Sequence, residues 1–167
     1  MSNSHQEKLP VSVVIVAKNE EKRLPACLKA CDFASEIIVV DDESTDKTRE
    51  IALSFGAKVF SRKMTSWGDQ QTFAIQQASQ PWLFLLDCDE IITPDLAKSI
   101  KTAVSLNEDF SYEVKRINRF EHFKATHGTL RPDWVPRLMK NEGVKVIGQV
   151  HQKIVFPHTL KKLKGHL

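Results

Sequence analysis

The sequence predicts an α/β fold in which a mostly parallel sheet carries helices on both faces. Runs of β-branched and aliphatic residues alternate with stretches of helix formers, which is the order of β-α-β units. One run, residues 82–86, is apolar at every position, and such a strand belongs in the interior of a sheet that is covered on both sides. With 167 residues, the chain is long enough for one domain with its own core.

The first predicted unit is a strand followed by a helix. Residues 11–17 are rich in β-branched side chains and lie between Pro10 and a polar dipeptide, which is typical of a buried strand. Residues 20–30 contain helix formers, and apolar side chains at Leu24 and Leu28 recur at helical spacing. These residues are therefore expected to form the first helix.

The second unit contains a strand over residues 36–41 and an acidic turn. We expect Ser44 or Thr45 to cap the helix that follows and runs to about residue 55, because a hydroxyl can accept from the free amides of a first turn. A third strand is predicted at residues 57–60. The rest of the first part is expected to form a helix over 68–79, a strand over 82–86 and a helix over 93–106.

Beyond residue 110 the pattern changes to short alternating strands, predicted at 112–116, 134–139 and 150–156. The charge changes as well. Residues 1–114 carry 12 Lys and Arg against 18 Asp and Glu, whereas residues 115–167 carry 12 against 3. The basic part is expected to face an anionic partner, although a solvated surface would have the same composition.

Two classes of protein are excluded by composition. No run approaches the ~20 apolar residues that cross a bilayer, and residues 1–8 lack the apolar segment of a signal peptide, so we expect a cytoplasmic protein. Cys27, Cys31 and Cys88 do not form the pattern of a disulfide scaffold, and two cysteines at helical spacing are too few soft ligands for zinc.

Polar or acidic residues follow three of the predicted strands. Residues 18–20 follow the first strand, Asp41 and Asp42 end the second, and Asp87 and Asp89 follow the fourth. In an open parallel sheet, ligands bind beyond the carboxyl ends of the strands. We therefore expect these three ends to converge on one crevice.

The carboxylates of Asp87 and Asp89 suit a divalent metal ion. Two carboxylates directly after a buried strand are costly unless a cation compensates them. Mg²⁺ and Mn²⁺ take one or two carboxylates together with phosphate oxygens and water. The pair therefore predicts a metal bound to a diphosphate, and the alternative is a turn that caps the next helix.

Asp41 and Asp42 can accept hydrogen bonds from a nucleobase or a ribose hydroxyl. The alternative is that residues 42–46 cap the helix that follows, and the two roles are compatible. The sequence lacks a Gly-x-Gly-x-x-Gly segment after the first strand and a Gly-x-x-x-x-Gly-Lys-Ser/Thr segment anywhere. Their absence argues against NAD(P)-binding proteins and P-loop NTPases.

Three segments together resemble family 2 glycosyltransferases. Residues 13–21, 38–48 and 82–90 read VVIVAKNEE, IVVDDESTDKT and WLFLLDCDE, and they follow the family's order and spacing. The resemblance covers about residues 11–167. Within the family, the chain is most similar to lipopolysaccharide core-biosynthesis glycosyltransferases, as residues 116–120, Arg137-Leu138 and the terminal KGHL also indicate.

The resemblance implies a GT-A-type fold over residues 1–167, with about 10–110 binding a nucleotide sugar and 111–167 facing the acceptor. It implies an inverting hexosyltransferase that uses Mn²⁺ or Mg²⁺ and moves a sugar, usually from a UDP-sugar, to a lipopolysaccharide core or related glycan or glycolipid. The implied nucleotide-sugar site comprises Ala17, Asn19, Glu20, Asp41, Asp42, Gln71 and Asp87, and the implied metal site comprises Asp87 and Asp89. His151 is a further candidate for the metal or diphosphate site, and the alternative is an ordinary surface histidine.

The chain departs from this family in two segments. Relatives commonly read Val-His-Glu where this chain has a glutamine at 152, which cannot act as a base. We expect Asp133, with Glu121 behind it, to take that role. Relatives also often carry Arg or Lys after the first glutamine of the pair Gln70-Gln71, so a contact to the diphosphate is expected to be missing.

A third departure is length, because relatives continue past residues 163–167. We therefore expect a truncated carboxyl terminus, with contacts to the acceptor or to the inner face of the cytoplasmic membrane in the missing part. Lys161, Lys162 and Lys164 are candidates for touching anionic lipid, although terminal lysines are usually only solvated.

Two other functions compete with the transferase. Gln152 and the short chain favour a degenerate nucleotide-sugar-binding protein without activity. A nucleotidyltransferase would need a Gly-rich loop after the first strand, where residues 18–21 offer none. A role in binding nucleic acid depends only on the basic part, which contains no recognised module, so we expect no nucleic-acid partner.

Overall fold

The computed structural model describes residues 7–117, 119–120, 123–124, 132–147 and 153–167. The helices are α1 (Leu24–Lys29), α2 (Thr48–Ser54), α3 (Trp67–Gln76) and α4 (Pro94–Leu106). The strands are β1 (Leu9–Ala17), β2 (Ala34–Asp41), β3 (Lys58–Ser61), β4 (Trp82–Asp87), β5 (Phe110–Arg116), β6 (Arg119–Phe120), β7 (Phe123–Lys124), β8 (Asp133–Lys140), β9 (Lys145–Ile147), β10 (Lys153–Val155) and β11 (Thr159–His166).

Seven strands form one sheet in the order β11-β5-β8-β4-β1-β2-β3. Strands β4, β1, β2 and β3 are parallel, as are β11 and β5, whereas β8 runs antiparallel to both of its neighbours. The predicted mostly parallel sheet is therefore confirmed. The acidic and basic parts of the chain share this sheet, because β8, from the basic part, pairs with β4, from the acidic part.

Helices cover both faces of the sheet, as the sequence predicts. On one face, α1, α2 and α4 pack on a core cluster that includes Phe84 and Leu96. On the other, α3 and the antiparallel pair of strands β9 and β10 pack on a second cluster that includes Leu83 and Leu85. Leu83, Phe84 and Leu85 are almost fully buried because β4 lies between these layers. No helix in the described ranges is long and apolar enough to cross a membrane.

Two predicted helix starts are wrong. Residues 21–23 form a turn, so α1 begins only at Leu24. Helix α2 begins at Thr48, because the hydroxyl of Ser44 and the amide of Thr45 are engaged with Asn19 of the neighbouring loop. Asp46 instead accepts from the Thr48 amide at 2.9 Å.

The terminal strand β11 and the short strand β9 were missed by the sequence analysis. Strand β11 pairs in parallel with β5 and places Gly165 against α4. Gly165 has a φ of +90°, and a Cβ there would lie 2.4 Å from the Leu96 amide nitrogen. The next carbonyl, that of His166, accepts from the Thr93 hydroxyl at 2.7 Å. Only glycine therefore lets β11 approach the start of α4.

A buried carboxylate holds the amino edge of the sheet together. Glu36 accepts from Lys58 Nζ at 2.6 Å and from the amide and hydroxyl of Ser79, each at 2.8 Å. The Ser12 hydroxyl also donates to Glu36. Burial alone would raise the pKa of Glu36, but these donors outweigh it and lower the pKa to about 2. This cluster links the starts of β1, β2 and β3 to the segment before β4.

Candidate functional site

A cavity of about 1280 Å³ opens at the carboxyl edge of the sheet. Strand register explains its position, because Ala17 pairs with Asp41 and Val16 with Asp87, so three strand ends lie at one level. The wall nearest those ends is acidic, and the facing wall comes from the basic part of the chain. Its charged lining residues are Lys18, Glu20, Arg23, Asp42, Asp87, Asp89, Glu90, Arg116, Arg137 and Lys153.

Asp87 ends β4 and is half-buried at the floor of this cavity. Its Oδ2 accepts from Arg137 Nη2 at 2.7 Å. Its backbone amide donates to Oε2 of Glu90 at 3.0 Å, which closes the turn after β4. The carboxylate is therefore held from two sides before any ligand is bound.

Glu90 and Arg137 form a buried ion pair beside Asp87. Arg137 Nη2 also donates to Glu90 Oε1 at 2.6 Å, and the two side chains are only 7% and 6% exposed. Burial raises the pKa of Glu90, against the opposing effect of Arg137. For Arg137, burial acts to lower the pKa, but Glu90 and Asp87 outweigh it and the pKa is raised. A charged guanidinium is therefore fixed under the acidic strand end.

Asp89 lies in the turn after β4 and is exposed to the cavity. Within the described residues, no group of three or more His, Cys, Asp or Glu is arranged to hold a metal ion. Asp87 and Asp89 still fit Mg²⁺ or Mn²⁺, because these ions take only one or two protein carboxylates when phosphate oxygens complete the set. The predicted ligand His151 lies outside the described residues.

Asp42 lines the cavity with both carboxylate oxygens engaged. Oδ2 accepts from Lys18 Nζ at 2.8 Å, and Oδ1 accepts from the Met64 amide at 2.7 Å. The hydrogen bond from Lys18 lowers the pKa of Asp42. The same contact raises the pKa of Lys18. Asp42 thus ties the loops after β1 and β3 to the end of β2.

Asp41 and Asn19 lie behind the cavity wall. Asp41 is buried, and its Oδ2 accepts from the Ser44 amide at 3.2 Å. Its Oδ1 is buried with no hydrogen-bond partner among the described residues. Asn19, with a φ of 54°, accepts from the Thr45 amide at 2.8 Å through Oδ1. Asn19 therefore shapes the loop after β2.

The remaining predicted nucleotide-sugar residues, Ala17, Glu20 and Gln71, line the cavity. Gln71 comes from α3, whereas its neighbour Gln70 is buried and exchanges hydrogen bonds with Arg62. Cys88, beside Glu20, has its pKa raised to about 12 by burial and by the nearby carboxylates of Glu20 and Asp89. The Cys88 thiol is therefore unreactive near neutral pH.

Asp133, the expected base, is held in an ion pair away from the cavity lining. Its two oxygens accept from Arg116 Nε at 3.1 Å and Nη2 at 2.8 Å. Arg116 lines the cavity and lies 3.8 Å from Glu90. The structure thus brings Arg116, rather than Asp133, to the wall. Glu121, the second candidate base, lies outside the described residues.

Sequence reasoning assigned no role to Arg137, Glu90 or Arg116. Arg137 was noted only as part of a resembling segment, and Glu90 only as the residue after the acidic pair. One signal was available, since Arg137 interrupts the otherwise apolar run of the strand predicted at 134–139, and a buried arginine needs carboxylate partners.

The comparisons with known proteins agree with this architecture. Residues 12–158 match the family model described as glycosyl transferase family 2. An uncharacterised glycosyltransferase of Rickettsia bellii is 36% identical over 109 residues, covering 63% of this chain and 37% of its own. The lipopolysaccharide core biosynthesis glycosyltransferase LpsC of Rhizobium meliloti is 30% identical over 107 residues, covering 61% of this chain and 40% of its own. The chain thus spans somewhat over a third of the length of the curated relatives it matches.

A solved structure gives the same fold. S. aureus TarS 1-349 in complex with UDP has a TM-score of 0.52 and 25% identity, over 66% of this chain and 37% of the TarS 1-349 chain. The same protein has been crystallised with UDP-GlcNAc. The expected GT-A-type fold is thereby confirmed.

Proposed function

Because the chain belongs to glycosyl transferase family 2, we propose that it binds the donor in a transferase that moves a sugar from a nucleotide-diphospho-sugar to a glycan. The observation that carries this proposal is the convergence of three acidic strand ends on one cavity, whose facing wall comes from the basic part of the chain. Such a cavity has room for a donor and an acceptor side by side.

The donor is proposed to be a UDP-sugar, and the complexes of TarS with UDP and UDP-GlcNAc support this choice. Asp42, Glu20 and Gln71 line the cavity and are proposed to exchange hydrogen bonds with the nucleoside. Asp41 and Asn19, which hydrogen-bond to the loop after β2, are proposed to support this wall from behind.

Asp87 and Asp89 would hold a Mn²⁺ or Mg²⁺ ion together with the diphosphate. Such an ion, when bound, offsets the charge that develops on the leaving diphosphate. Asp89 is exposed and offers its carboxylate to the cavity, while Asp87 is already fixed by Arg137. These two residues therefore supply oxygen ligands on a rigid strand end, with His151 as a proposed third ligand.

The transfer is proposed to invert the configuration at the anomeric carbon. The acceptor hydroxyl oxygen bonds to that carbon while the bond from the carbon to the diphosphate oxygen breaks, and the nucleoside diphosphate leaves with the electron pair. A base accepts the hydroxyl proton. Asp133 and Glu121 are the proposed bases, and Asp133 would have to exchange its contact with Arg116 for one with the acceptor.

The acceptor is proposed to be a lipopolysaccharide core or related glycan, because the relative LpsC is named as a lipopolysaccharide core biosynthesis glycosyltransferase. An acceptor carried on a glycolipid would place the enzyme in the cytoplasm, in peripheral contact with the inner face of the membrane. Lys161, Lys162 and Lys164 are exposed lysines on β11 that could meet anionic headgroups.

A binding protein without activity is the second candidate, and the ion pair that engages both oxygens of Asp133 favours it. Turnover separates the two. UDP-sugars are incubated with the protein and Mn²⁺, and release of UDP is followed with and without glycan acceptors. Release of UDP by the wild-type protein at a rate above that of Asp89→Ala supports the transferase. Stabilisation by UDP with no release from any donor supports the binder.

A further inference from the structure

The chain contains a row of alternating charges that runs from the acceptor-side part into the donor site. Asp133 pairs with Arg116, Arg116 lies near Glu90, Glu90 pairs with Arg137, and Arg137 donates to Asp87. Arg137 joins the two parts at hydrogen-bond distance, because it comes from β8 while its two carboxylate partners belong to β4 and the turn after it.

Arg137 occupies a position that an apolar residue would fill at lower cost. Its neighbours on β8, Leu138 and Met139, are fully buried in the two core clusters. A buried ion pair adds little stability over an apolar pair of similar volume, because removing the charges from water offsets their attraction. Stability alone therefore gives a weak reason for an arginine here.

The geometry of the pair gives a stronger reason. One nitrogen, Nη2 of Arg137, donates to Asp87 Oδ2 at 2.7 Å and to Glu90 Oε1 at 2.6 Å. The second oxygen of Glu90 accepts from the Asp87 amide at 3.0 Å. Asp87 is thus held through both its side chain and its backbone, and the hydrogen bond from Arg137 uses only one of its carboxylate oxygens.

We propose that Arg137, anchored by Glu90, is a positioning residue that fixes the carboxylate of Asp87 for the donor diphosphate and its metal ion. Arg137 also supplies the positive charge that offsets the neighbouring carboxylates of Asp87 and Glu90. The donor site is therefore completed by the acceptor-side part of the chain. This inference rests on the proposed function, since it assumes that Asp87 faces a nucleotide diphosphate.

A double-mutant cycle in UDP affinity tests the inference. Affinity is measured by calorimetry with Mn²⁺ for the wild-type chain, Arg137→Met, Asp87→Asn and the double variant. Removing a residue that orients a metal ligand typically weakens binding about 10–100-fold, and we expect a loss of that size in Arg137→Met. In the Asp87→Asn background the same change is expected to cost less than about 2-fold, because Arg137 acts through Asp87.

Arg62→Met is the matched control, because Arg62 also pairs with a carboxylate, that of Asp69, but does not line the cavity. Its effect on UDP affinity is expected to be small and additive with Asp87→Asn. Additive losses for Arg137→Met and Asp87→Asn would overturn the positioning role while leaving the donor site intact. Wild-type protein that binds no UDP would overturn the proposed function, and this inference with it.

Glu90→Gln keeps the test decisive if Arg137→Met does not fold, as circular dichroism would reveal. This variant leaves the contact between Arg137 and Asp87 but removes the charge that anchors Arg137. We expect a smaller loss of UDP affinity, which again disappears in the Asp87→Asn background. An unchanged affinity in Glu90→Gln, or a loss that persists in that background, would contradict the inference.

Discussion

Replacing Glu36 by glutamine removes the charge at the centre of the buried cluster on the amino edge of the sheet. The carboxylate accepts from Lys58 Nζ, from the Ser79 amide and hydroxyl, and from the Ser12 hydroxyl. Glutamine has one accepting oxygen and one donating nitrogen. The variant therefore loses the ion pair with Lys58. The amide nitrogen of the glutamine also faces at least one other hydrogen-bond donor of the cluster.

The size of the effect follows from the pKa of Glu36. Its value falls from an ordinary 4.5 to about 2 in the folded chain. Each pKa unit corresponds to about 1.4 kcal/mol, so the full shift would give about 3 kcal/mol of stability at neutral pH. Lys58 is 58% exposed, and solvent screens its contribution, so we expect Glu36→Gln to lower the free energy of unfolding by about 2 kcal/mol.

The effect should depend on pH in one direction. A carboxylate with a depressed folded-state pKa contributes stability above its unfolded value, and this contribution is lost as the pH falls through the folded value. The difference between wild type and Glu36→Gln is therefore expected to be full above pH 4.5 and to shrink between 4.5 and about 2.

Urea unfolding at pH 7, 4.5 and 3, followed by circular dichroism, measures this difference. Glu142→Gln is the control, because Glu142 is exposed in the turn before β9, and it should change stability by less than about 0.5 kcal/mol. A difference between wild type and Glu36→Gln that is the same at all three pH values would refute the reasoning, since it would not come from the carboxylate charge.

Three further predictions concern the terminal strand and the site. Gly165→Ala should lower the free energy of unfolding by at least about 2 kcal/mol in a urea titration. The alanine Cβ would meet the Leu96 backbone, and the backbone φ at this position is positive. An unchanged unfolding midpoint would contradict this packing. Asp42→Ala should weaken UDP binding in calorimetry more than Glu43→Ala, because only Asp42 of these two residues lines the cavity. Equal losses of affinity in the two variants would show that the nucleoside does not bind beside Asp42. Asp133→Asn should lower turnover of a UDP-sugar on the order of 10²–10⁴-fold with little change in UDP affinity, whereas near-normal turnover would reject Asp133 as the base.

The parts of the fold that sequence predicts are those with a local cause. Residues 82–86 are apolar throughout, and β4 lies where this pattern places it, between two packed layers. The acidic strand ends were also placed at one edge, because parallel strands in register end at the same level. Both features depend on residue types at adjacent positions.

The missed features depend on residues that are far apart in the chain. Strand β11 carries lysines and few apolar residues, so it has the composition of a solvated tail, and its order comes from pairing with β5 and from Gly165 against Leu96. Helix α2 starts later than predicted because the backbone amide of Asn19, 25 residues earlier, donates to the hydroxyl of Ser44, the expected cap. Neither contact can be predicted from the local propensities of the residues involved.

The same limit applies to the candidate site. Arg137 and Asp87 are 50 residues apart and meet only because β8 enters the sheet beside β4. The pairing of Arg116 with Asp133 follows from the register between β5 and β8, which places these two residues opposite each other. Alternation along a strand predicts which face a residue lies on, but it does not predict the strand that pairs with it.

The central claim is that Asp87 and Asp89 bind a metal ion together with a nucleotide diphosphate. Calorimetry of UDP binding to the full chain, first with Mn²⁺ and then with EDTA, tests this claim most directly. Asp89→Ala is the variant that removes a metal ligand. Asp32→Ala is the control, because Asp32 belongs to an exposed surface ion pair. We predict that UDP binds with Mn²⁺ in the wild type and in Asp32→Ala, and that binding is lost with EDTA and in Asp89→Ala. Equal affinity with Mn²⁺ and with EDTA, or an unchanged affinity in Asp89→Ala, would contradict the claim.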